Sequence, residues 1–537
     1  MTMLAPGCAS PRLRNVVRLA VIATVLAAAT VRLYLAWSSA ATLVQKTLPD
    51  DAFYYFQIAR HYTRGHGVSF DGLTATNGFH PLWLLLIVPF FALAGNDAEL
   101  PIQCAVTLGA LLGVSTLACI YGSARQITAS ALAGALAVIF YAVNASVTME
   151  SLNGLETALA NLLFAASAWY FLAVRTVLDT RRAATAGLLA GLSVLARTDS
   201  AFLLGMMMVA AAAGGRAGAR WRPAAAMLVT ATLVVLPWEI WSVAVAATPL
   251  QSSGVAVPFV LRGNIVPEQG TASLAQWTAG QTLDALRLAL RHTGTIWPAL
   301  LFVIVLGGVA LADLRGERRL RRELRQLHFV LAAVLALVLF HGAYRLYPRS
   351  WYFVPVGLLS AVYLAVVLNY LLTILRAPVG AVLAVMTVAA LAAANAVELR
   401  GLWQKGLYPW QGEMLAAARW VGANTQPRQR VGAFNAGIIA YWNPDRTVIN
   451  LDGVVNTPAL AAIRQRRLWR YIEQAAIAYV VDYEVYFSAA PADFSGSYRP
   501  YLGVVPADRL YLSSRIAGTL HGSDIVIARV VTPDSEQ

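Results

Sequence analysis

The feature of this sequence that most restricts its fold is a long succession of apolar segments. They lie near residues 16–37, 80–95, 101–121, 129–147, 156–174, 183–197, 198–214, 223–246, 296–314, 328–346, 351–375 and 377–397. Several reach the length of about 18 residues or more that an α-helix needs to cross a bilayer. Only 13% of the chain is charged, too little to cover the surface of a soluble protein. We therefore predict a polytopic α-helical membrane protein with about 11 or 12 spans.

Basic residues indicate which loops face the cytoplasm. The net charge of +14 is carried almost wholly by arginine. The arginines cluster beside apolar segments, in four groups: Arg12, Arg14 and Arg18; Arg175, Arg181 and Arg182; Arg216, Arg220 and Arg222; Arg315, Arg318, Arg319, Arg321, Arg322 and Arg325. By the positive-inside rule these groups are cytoplasmic, which places residues 247–295, residues 345–350 and the C-terminal region outside. Arginines distributed in this way do not form a phosphate-binding stripe, so nucleic acid is not an expected partner.

The positive-inside rule does not give a consistent topology for the first half of the chain. Five apolar segments lie between the cytoplasmic N-terminus and the cytoplasmic residues 175–182, and five is an odd number. At least one of them, with the short segment 80–95 as the first candidate, is therefore re-entrant or wrongly drawn.

The composition changes near Glu398 to that of a soluble domain. We predict a transmembrane domain at 1–397, with external loops at 38–80 and 247–295, and a small soluble extracytoplasmic α/β domain at 398–537. Within the second domain, the pattern predicts a helix at 413–423 and strands at 430–434, 447–451 and 477–482. It contains no G-x-G-x-x-G or Walker motif, so no nucleotide site is predicted there.

The stretch richest in candidate chemistry is 49–83, which contains two adjacent acids. Pro49, Asp50 and Asp51 are typical of a helix start, and an amphipathic helix is predicted to run to about Arg64 in the plane of the membrane interface. One aspartate has a plain structural role available, as the cap of this helix. The alternative is that one acid is a catalytic base and the other supports it or a metal ion.

Several motifs along the chain together resemble the GT-C glycosyltransferases, in particular bacterial relatives of aminoarabinose, arabinofuranosyl and protein O-mannosyl transferases. Members of that family place an acidic pair at the start of the first external loop, where this chain has DDAFYY. Further similar motifs are TNGFHPLW at 76–83, NGLET at 153–157, LARTD at 195–199, RSWYFVP at 349–355 and VINLDG at 448–453.

The resemblance implies a transfer reaction on the outer face of the bacterial inner membrane. The donor would be a polyprenyl-phosphate sugar, and the acceptor a glycan, lipid or protein of the cell envelope. Asp50 is implied as the base, with Asp51 the less favoured holder of that role. A carboxylate suits this role because it accepts the proton of the acceptor hydroxyl as the bond to the sugar forms.

The departing phosphate requires cationic donors, and the external loops offer several. Arg349 is the first candidate, because a guanidinium binds phosphate through two parallel hydrogen bonds, and Arg345, His80 and Arg60 follow. An arginine reaching to lipid headgroups, or an ordinary interfacial histidine, would explain the same residues without a substrate. The remaining substrate-binding candidates lie within the motifs quoted above: Asn77, Glu156, Asp199 and Tyr352.

Three further acids, Asp199, Glu156 and Asp452, could have either a structural or a substrate-binding role. Asp199 has Arg197 beside it, which offers a structural ion pair. The resemblance implies a sugar-binding role for Glu156. Asp452 is typical of a turn residue.

No cofactor is required by the sequence, although a divalent cation is a candidate. Asp50, Asp51, His66 and His80 are residue types that bind such ions, but their spacing does not decide the question. A lipid-linked sugar transporter or flippase, and a non-catalytic envelope scaffold, are alternative functions. A transporter would have charged residues scattered through the middle of its spans, whereas here they gather at external loops and span ends.

Overall fold

The structure is a computed structural model that describes residues 11–214, 221–294, 298–375, 377–487, 495–506 and 508–531. Two arginines of one predicted cytoplasmic group, Arg216 and Arg220, lie outside these residues. Every predicted apolar segment coincides with a helix or a pair of helices. The helices of this part are α1 Pro11–Ala36, α2 Ala40–Lys46, α3 Asp50–Thr63, α4 Pro81–Leu93, α5 Leu100–Thr128, α6 Ala131–Val143, α7 Ala145–Glu150, α8 Thr157–Val174, α9 Thr180–Ala196, α10 Ala201–Gly214, α11 Trp221–Ala246, α12 Ser252–Arg291, α13 Pro298–Leu314, α14 Arg319–Arg325, α15 His328–Leu339, α16 Pro355–Ile374 and α17 Ala377–Lys405.

The number of helices long enough to cross a membrane is smaller than the predicted 11 or 12. Within the described residues, six helices have the length and hydropathy of a span, and the bent pair of α14 and α15 brings the number to seven. Four further apolar helices, α4, α6, α10 and α13, have 10–17 residues in their apolar parts. At 1.5 Å per residue such helices are shorter than an apolar core about 30 Å thick, so length alone does not count them as spans. The chain is a multi-pass membrane protein.

The C-terminal lobe, residues 411–530, is built on a five-stranded mixed sheet. Its helices are α18 Gln411–Asn424, α19 Gly437–Tyr441, α20 Thr457–Arg464, α21 Leu468–Gln474 and α22 Arg499–Leu502, and its strands are β1 Arg430–Ala433, β2 Thr447–Asn450, β3 Tyr479–Tyr483, β4 Leu510–Ile516 and β5 Ile525–Val530. The strand order is β2-β1-β3-β5-β4. Strand β1 is parallel to both of its neighbours, β2 and β3. Strand β5 is antiparallel to both of its neighbours, β3 and β4. The predicted helix and three strands are confirmed, whereas β4 and β5 were not predicted.

The acidic helix α3 lies inside the protein rather than in the membrane interface as predicted. Ten of its 14 residues are buried. On one side Phe56 packs on Phe91 of α4, with ring centroids 5.8 Å apart. On the other side Phe53 meets Tyr441 of α19, at 5.4 Å. The apolar face that suggested a lipid contact is therefore used to join the membrane helices to the C-terminal lobe.

The polar stretch predicted as an external loop at 247–295 is mostly the 40-residue helix α12. Its first half contacts the C-terminal lobe, where the amide of Asn264 donates to the carbonyls of Ser495 and Ser497. Its second half packs against a π-helical turn at Phe340–Tyr344, which follows α15. There Gly342 lies so close to α12 that a Cβ atom added to it would be 2.7 Å from the Cα atom of Thr282. This helix thus connects the lobe to the loop that carries Arg345 and Arg349.

Candidate functional site

A large cavity of about 2040 Å³ lies where α3, α12, the loop after α15 and the C-terminal lobe meet. This is well above the roughly 300–1000 Å³ of a typical small-molecule site, and leaves room for two substrates. Eight of the ten predicted site residues line it: Asp50, Asp51, His80, Glu156, Asp199, Arg345, Arg349 and Tyr352.

The carboxylate of Asp50 is occupied by the backbone of the C-terminal lobe. Its Oδ1 accepts a hydrogen bond from the N–H of Ile438 at 2.7 Å, and its Oδ2 accepts one from Gly437 at 3.1 Å. Burial raises the pKa of Asp50 to about 7, against the opposing effect of these two hydrogen bonds. A Cβ atom on Gly437 would stand 2.3 Å from the carbonyl oxygen of Asp50, so only glycine fits there. Asp50 therefore anchors the lobe to α3.

Arg60, near the other end of α3, makes the matching contact with the same lobe helix. Its guanidinium donates to the carbonyl of Tyr441 at 2.9 Å and to that of Ala440 at 3.3 Å. It also lies over the ring of Tyr441, 4.5 Å from the centroid. Arg60 was predicted to bind substrate, but it is buried here and does not line the cavity. Asp50 and Arg60 of α3 thus bind the two ends of α19.

We expect protein stability to depend on pH through Asp50. Because its pKa is raised to about 7, the folded protein keeps a proton that the unfolded chain releases near pH 4. Between about pH 4 and 7 the folded state binds more protons, so the free energy of unfolding falls as the pH rises. Unfolding measured across this window should show a loss of up to about 4 kcal/mol in the wild type and a smaller loss in Asp50→Asn. Burial also raises the pKa of Asp482, to about 6, but Asp482 is present in both proteins. Equal slopes in the two proteins would contradict the assignment.

Asp51, the second acid of the pair, faces the cavity. Its side chain is accessible to solvent within the cavity, and its carboxylate has no hydrogen-bond donor among the described residues. Removal from bulk water raises the pKa of Asp51, and Glu156 adds to this, while the positive charges of Arg349 and Arg345 oppose it. The pair is therefore divided between a carboxylate engaged by the lobe and one open to a ligand.

Two arginines lie close enough to influence Asp51 and have free hydrogen-bonding capacity. The guanidinium of Arg349 lies over the ring of Tyr347, 3.8 Å from its centroid, and lines the cavity. Arg345 donates one hydrogen bond to the carbonyl of Ser253 at 3.1 Å, and its Nε is buried without an acceptor among the described residues. Such an arrangement suits an anion with several oxygen atoms.

A buried network of charged groups forms one wall of the cavity. Arg197 binds both oxygens of Asp199, at 2.6 and 3.2 Å, and reaches Glu156 at 3.4 Å. The ion pair suggested by the LARTD motif is confirmed. His341 completes the network, with its Nε2 2.8 Å from Oδ2 of Asp199 and its ring stacked on Tyr352 at 3.9 Å. The sequence did not single out His341, although the π-helical turn that carries it is a feature often found at functional sites.

His80 belongs to the same wall. Its Nε2 is 3.8 Å from Oε1 of Glu156, and its Nδ1 is 3.1 Å from the amide of Gln251. Its backbone N–H donates to the hydroxyl of Tyr55, which in turn donates to Glu156 at 2.8 Å. Burial lowers the pKa of His80, with Glu156 opposing, so the ring acts as a neutral hydrogen-bonding group.

Asn77 was predicted to bind substrate, but it does not line the cavity. It is fully buried, and its amide nitrogen donates to the hydroxyl of Ser242 at 2.8 Å and the carbonyl of Leu250 at 3.1 Å. Its oxygen accepts the N–H of Ser252. These bonds join the loop before α4 to the ends of α11 and α12, which is a structural role.

Comparison with solved structures shows which architecture this is. ArnT from Cupriavidus metallidurans, bound to undecaprenyl phosphate, superimposes with a TM-score of 0.56 over 95% of this chain and 98% of its own, at 14% identity. The archaeal oligosaccharyltransferase AglB from Archaeoglobus fulgidus, in complex with an inhibitory peptide and a dolichol-phosphate, gives a TM-score of 0.57 over 88% of this chain and 70% of its own, also at 14% identity. The chain has the GT-C fold. The predicted fold class is thereby confirmed.

Sequence comparisons add little to this result. A family model described as a domain of unknown function, DUF8728, matches residues 402–518, which is most of the C-terminal lobe. A search of curated proteins found no match. The GT-C architecture is therefore evident from the arrangement of helices rather than from sequence identity.

The lobe of this GT-C chain contributes polar groups to the cavity that the sequence did not identify as such. Asp452 accepts the N–H of Val454 at 2.7 Å, which is the predicted turn contact, and it also lines the cavity. Burial raises the pKa of Asp452 well above its usual range. Asn435 lines the cavity as well, held by Asp482, whose carboxylate accepts its side-chain amide at 2.9 Å. In the sequence, the turn residues that follow each strand are the signal that could have identified these cavity-lining positions.

The candidate metal ligands do not form a site. Among the described residues, no group of three or more His, Cys, Asp or Glu side chains is placed to hold a metal ion. Both oxygens of Asp50 accept lobe N–H groups, and His66 packs on His61 with ring centroids 5.5 Å apart. Among the described residues the structure therefore shows no clustered donor set for a cation, and a divalent ion stays a prediction.

Proposed function

We propose that this protein is a glycosyltransferase that moves a sugar from a polyprenyl-phosphate carrier to a cell-envelope acceptor on the outer face of the bacterial inner membrane. The observation that carries the proposal is that the open carboxylate of Asp51 shares one cavity with the guanidinium groups of Arg345 and Arg349. The GT-C structures with bound undecaprenyl phosphate and dolichol-phosphate support a carrier of this kind.

Arg349 and Arg345 would bind the phosphate of the donor. As the bond between sugar and phosphate breaks, negative charge grows on the phosphate oxygens, and fixed cations stabilise that charge most in the transition state. Tyr347 and Tyr352 hold the two guanidinium groups by their ring faces, with centroids 3.8 Å from Arg349 and 5.7 Å from Arg345. Their positions are thus set before the donor arrives, which is the condition for efficient electrostatic catalysis.

Asp51 would act as the base. It would accept the proton of the acceptor hydroxyl as that oxygen attacks the anomeric carbon, while the electron pair of the breaking bond leaves with the phosphate. The family resemblance implied Asp50 for this role, with Asp51 second. Two observations support the reverse order: the lobe N–H groups of Gly437 and Ile438 occupy both oxygens of Asp50, and the carboxylate of Asp51 is open to the cavity.

Glu156, with His80 and Tyr352 beside it, would bind the sugar. Glu156 is held by Tyr55 and Arg197 from behind and borders the cavity in front. Asp199 would act through Arg197 and His341 by keeping them in place. A wall of fixed polar groups recognises sugar hydroxyls with little loss of side-chain freedom.

An apolar wall of the same cavity suits the isoprenoid chain of the carrier. Trp238, Phe202 and Phe259 line it, and Trp238 stacks on Trp241 with centroids 5.0 Å apart. Each buried methylene group is worth about 0.8 kcal/mol, so a chain lying here would contribute substantially to donor binding.

The test is a transfer assay with membranes containing the full chain and a panel of radiolabelled polyprenyl-phosphate monosaccharides. Transfer from at least one donor to an envelope component is expected, and labelled lipid appearing on the other face without transfer would instead favour a flippase. Absence of both, with equal behaviour of wild type and Asp51→Asn in a cell-envelope phenotype, would favour a scaffold and contradict the proposal.

Within this assay we expect Arg349→Ala to reduce turnover about 100-fold, because a fixed cation at the leaving phosphate is lost. Arg349→Lys keeps the charge but loses the bidentate geometry, so an intermediate loss is expected. Arg419 on α18 is exposed and serves as the control, with Arg419→Ala keeping full turnover. Turnover in Arg349→Ala within threefold of wild type would remove this residue from the phosphate site.

A further inference from the structure

The C-terminal lobe contains a second, separate cavity of about 330 Å³. It lies between the sheet and the helices α21 and α22, and its walls include Trp469, Phe487, Leu502 and Leu510. Phe434 lines both this cavity and the large one. The volume is at the lower end of the range for small-molecule sites and equals that of about ten molecules of liquid water.

Among the described residues, most of those that line this cavity are apolar, and Arg499 is the charged exception. The side chain of Trp469 is 4% exposed, and its indole N–H has no acceptor among the described residues. A buried N–H group without a partner is unfavourable, and in native proteins such groups usually have an acceptor, which here a ligand could supply. The cavity is therefore lined mainly by apolar side chains, one of which, Trp469, carries a buried N–H without a partner among the described residues.

Exposed arginines lie on the segments that border the cavity. Arg499 lines it, and four more are exposed on the segment that ends α20 and begins α21; together they are called the basic rim: Arg464, Arg466, Arg467, Arg470 and Arg499. Gly503, which also lines the cavity, lies so close to Arg466 that an added Cβ would stand 2.8 Å from its carbonyl oxygen. The guanidinium of Arg466 lies 5.7 Å from the ring centroid of Tyr501 on α22. The rim and the cavity are thus parts of one surface.

The arginines of the basic rim are not held by acids of the lobe. Arg515, for comparison, is paired with Glu484 at 2.7 Å and Asp524 at 3.3 Å. Within the residues that the structure describes, none of the five rim arginines forms a salt bridge. Their charges are thus not neutralised by the lobe, so the rim attracts anions.

We propose that this cavity binds a single-chain anionic amphiphile, with its phosphate or carboxylate on the basic rim and its apolar part inside. An oxygen next to the head group of such a ligand would accept the hydrogen bond of Trp469. The mainly apolar lining favours a ligand with an apolar part over a free inorganic anion, and the exposed arginines favour an anionic head group over a neutral one. This site is distinct from the one proposed for transfer and does not depend on it.

A photolabelling experiment on the full chain in phosphatidylcholine nanodiscs tests this proposal. The probe is decyl phosphate carrying a diazirine on its chain, the comparison is decanol with the same diazirine, and labelled peptides are located by mass spectrometry. We expect the phosphate probe to label peptides at 468–474 and 499–505 at least tenfold more than the alcohol. Equal labelling by the two probes, or no labelling of these peptides, would overturn the proposal.

Variants separate a built site from simple charge attraction. Arg466→Glu with Arg499→Glu should reduce lobe labelling at least tenfold, and Trp469→Phe, which keeps an aromatic ring, about threefold. Arg419→Glu makes the same change of charge elsewhere on the lobe and should have no effect. Circular dichroism and thermal unfolding of each variant report whether the protein is folded. Loss in the arginine variant with no change in Trp469→Phe would show a non-specific polyanion surface and contradict the proposal.

Discussion

Asp51→Asn is expected to abolish transfer while the protein remains folded. A positioned general base contributes about 100- to 10,000-fold to a rate, and asparagine has nearly the shape of aspartate but cannot accept the proton. The carboxylate has no hydrogen-bond donor among the described residues, so its replacement breaks no contact that supports the fold. Turnover of matched amounts of purified protein should therefore fall by at least 100-fold with unchanged thermal unfolding.

The controls for this prediction come from the same chain. Asp445 on the lobe has a side chain that is 72% exposed, and Asp445→Asn should keep full activity. Asp50→Asn should weaken the attachment of the lobe, seen as faster proteolysis between α17 and α18, because both oxygens of Asp50 bind lobe N–H groups. If Asp51→Asn keeps a tenth or more of the turnover while Asp50→Asn loses it without faster proteolysis, Asp50 is the base.

The pH dependence of turnover gives a second measurement on the same residue. A base acts in its ionised form, and burial raises the pKa of Asp51 above that of an ordinary aspartate despite the opposing charges of Arg349 and Arg345. The acid limb of the turnover profile should accordingly lie above the usual value of about 3.9. Arg349→Ala removes one of the opposing charges, so it should move this limb to still higher pH in its remaining activity.

Arg197→Met is expected to produce the largest loss of stability. Arg197 neutralises two buried acids, Glu156 at 3.4 Å and Asp199 at 2.6 Å, and its side chain is 8% exposed. Removing one partner of a buried ion pair costs about 3–5 kcal/mol, because the remaining charge is left without compensation away from water. Unfolding of the variant in mixed micelles, followed by circular dichroism, should show a loss of this size.

A surface pair provides the matched control for Arg197. Arg182 and Asp179 form an ion pair at 3.1 Å in which both side chains are about half exposed, so Arg182→Met should cost at most about 1 kcal/mol. Adding Asp199→Asn to Arg197→Met should restore part of the stability, because the uncompensated charge is then removed. A loss below about 1 kcal/mol in Arg197→Met, or no recovery in the double variant, would show that the network is not a stabilising unit.

The membrane class, the helices and the candidate loop could all be predicted from local sequence. Apolar runs specify where helices form whatever lies around them, and α3 begins at Asp50 as the N-terminal signals indicate. Fewer helices reach full span length than the 11 or 12 spans predicted, because hydropathy does not report where a helix ends: α4 and α6 have only 13 residues each. Strands β4 and β5 were missed because a strand depends on its neighbours, and β4 is an edge strand with a mostly exposed pattern.

Only the tertiary structure determined which of Asp50 and Asp51 binds the C-terminal lobe and which faces the cavity. Adjacent residues on a helix point about 100° apart, so the sequence shows that Asp50 and Asp51 face different surroundings but not which surroundings these are. The answer depends on Gly437 and Ile438, almost 390 residues away, whose N–H groups meet Asp50 and leave Asp51 to the cavity. The same holds for His341, which reaches Asp199 across 142 positions of sequence. Local sequence thus determined the membrane helices and the residue types of the site, while long-range packing determined which side chains face the cavity and which hold the protein together.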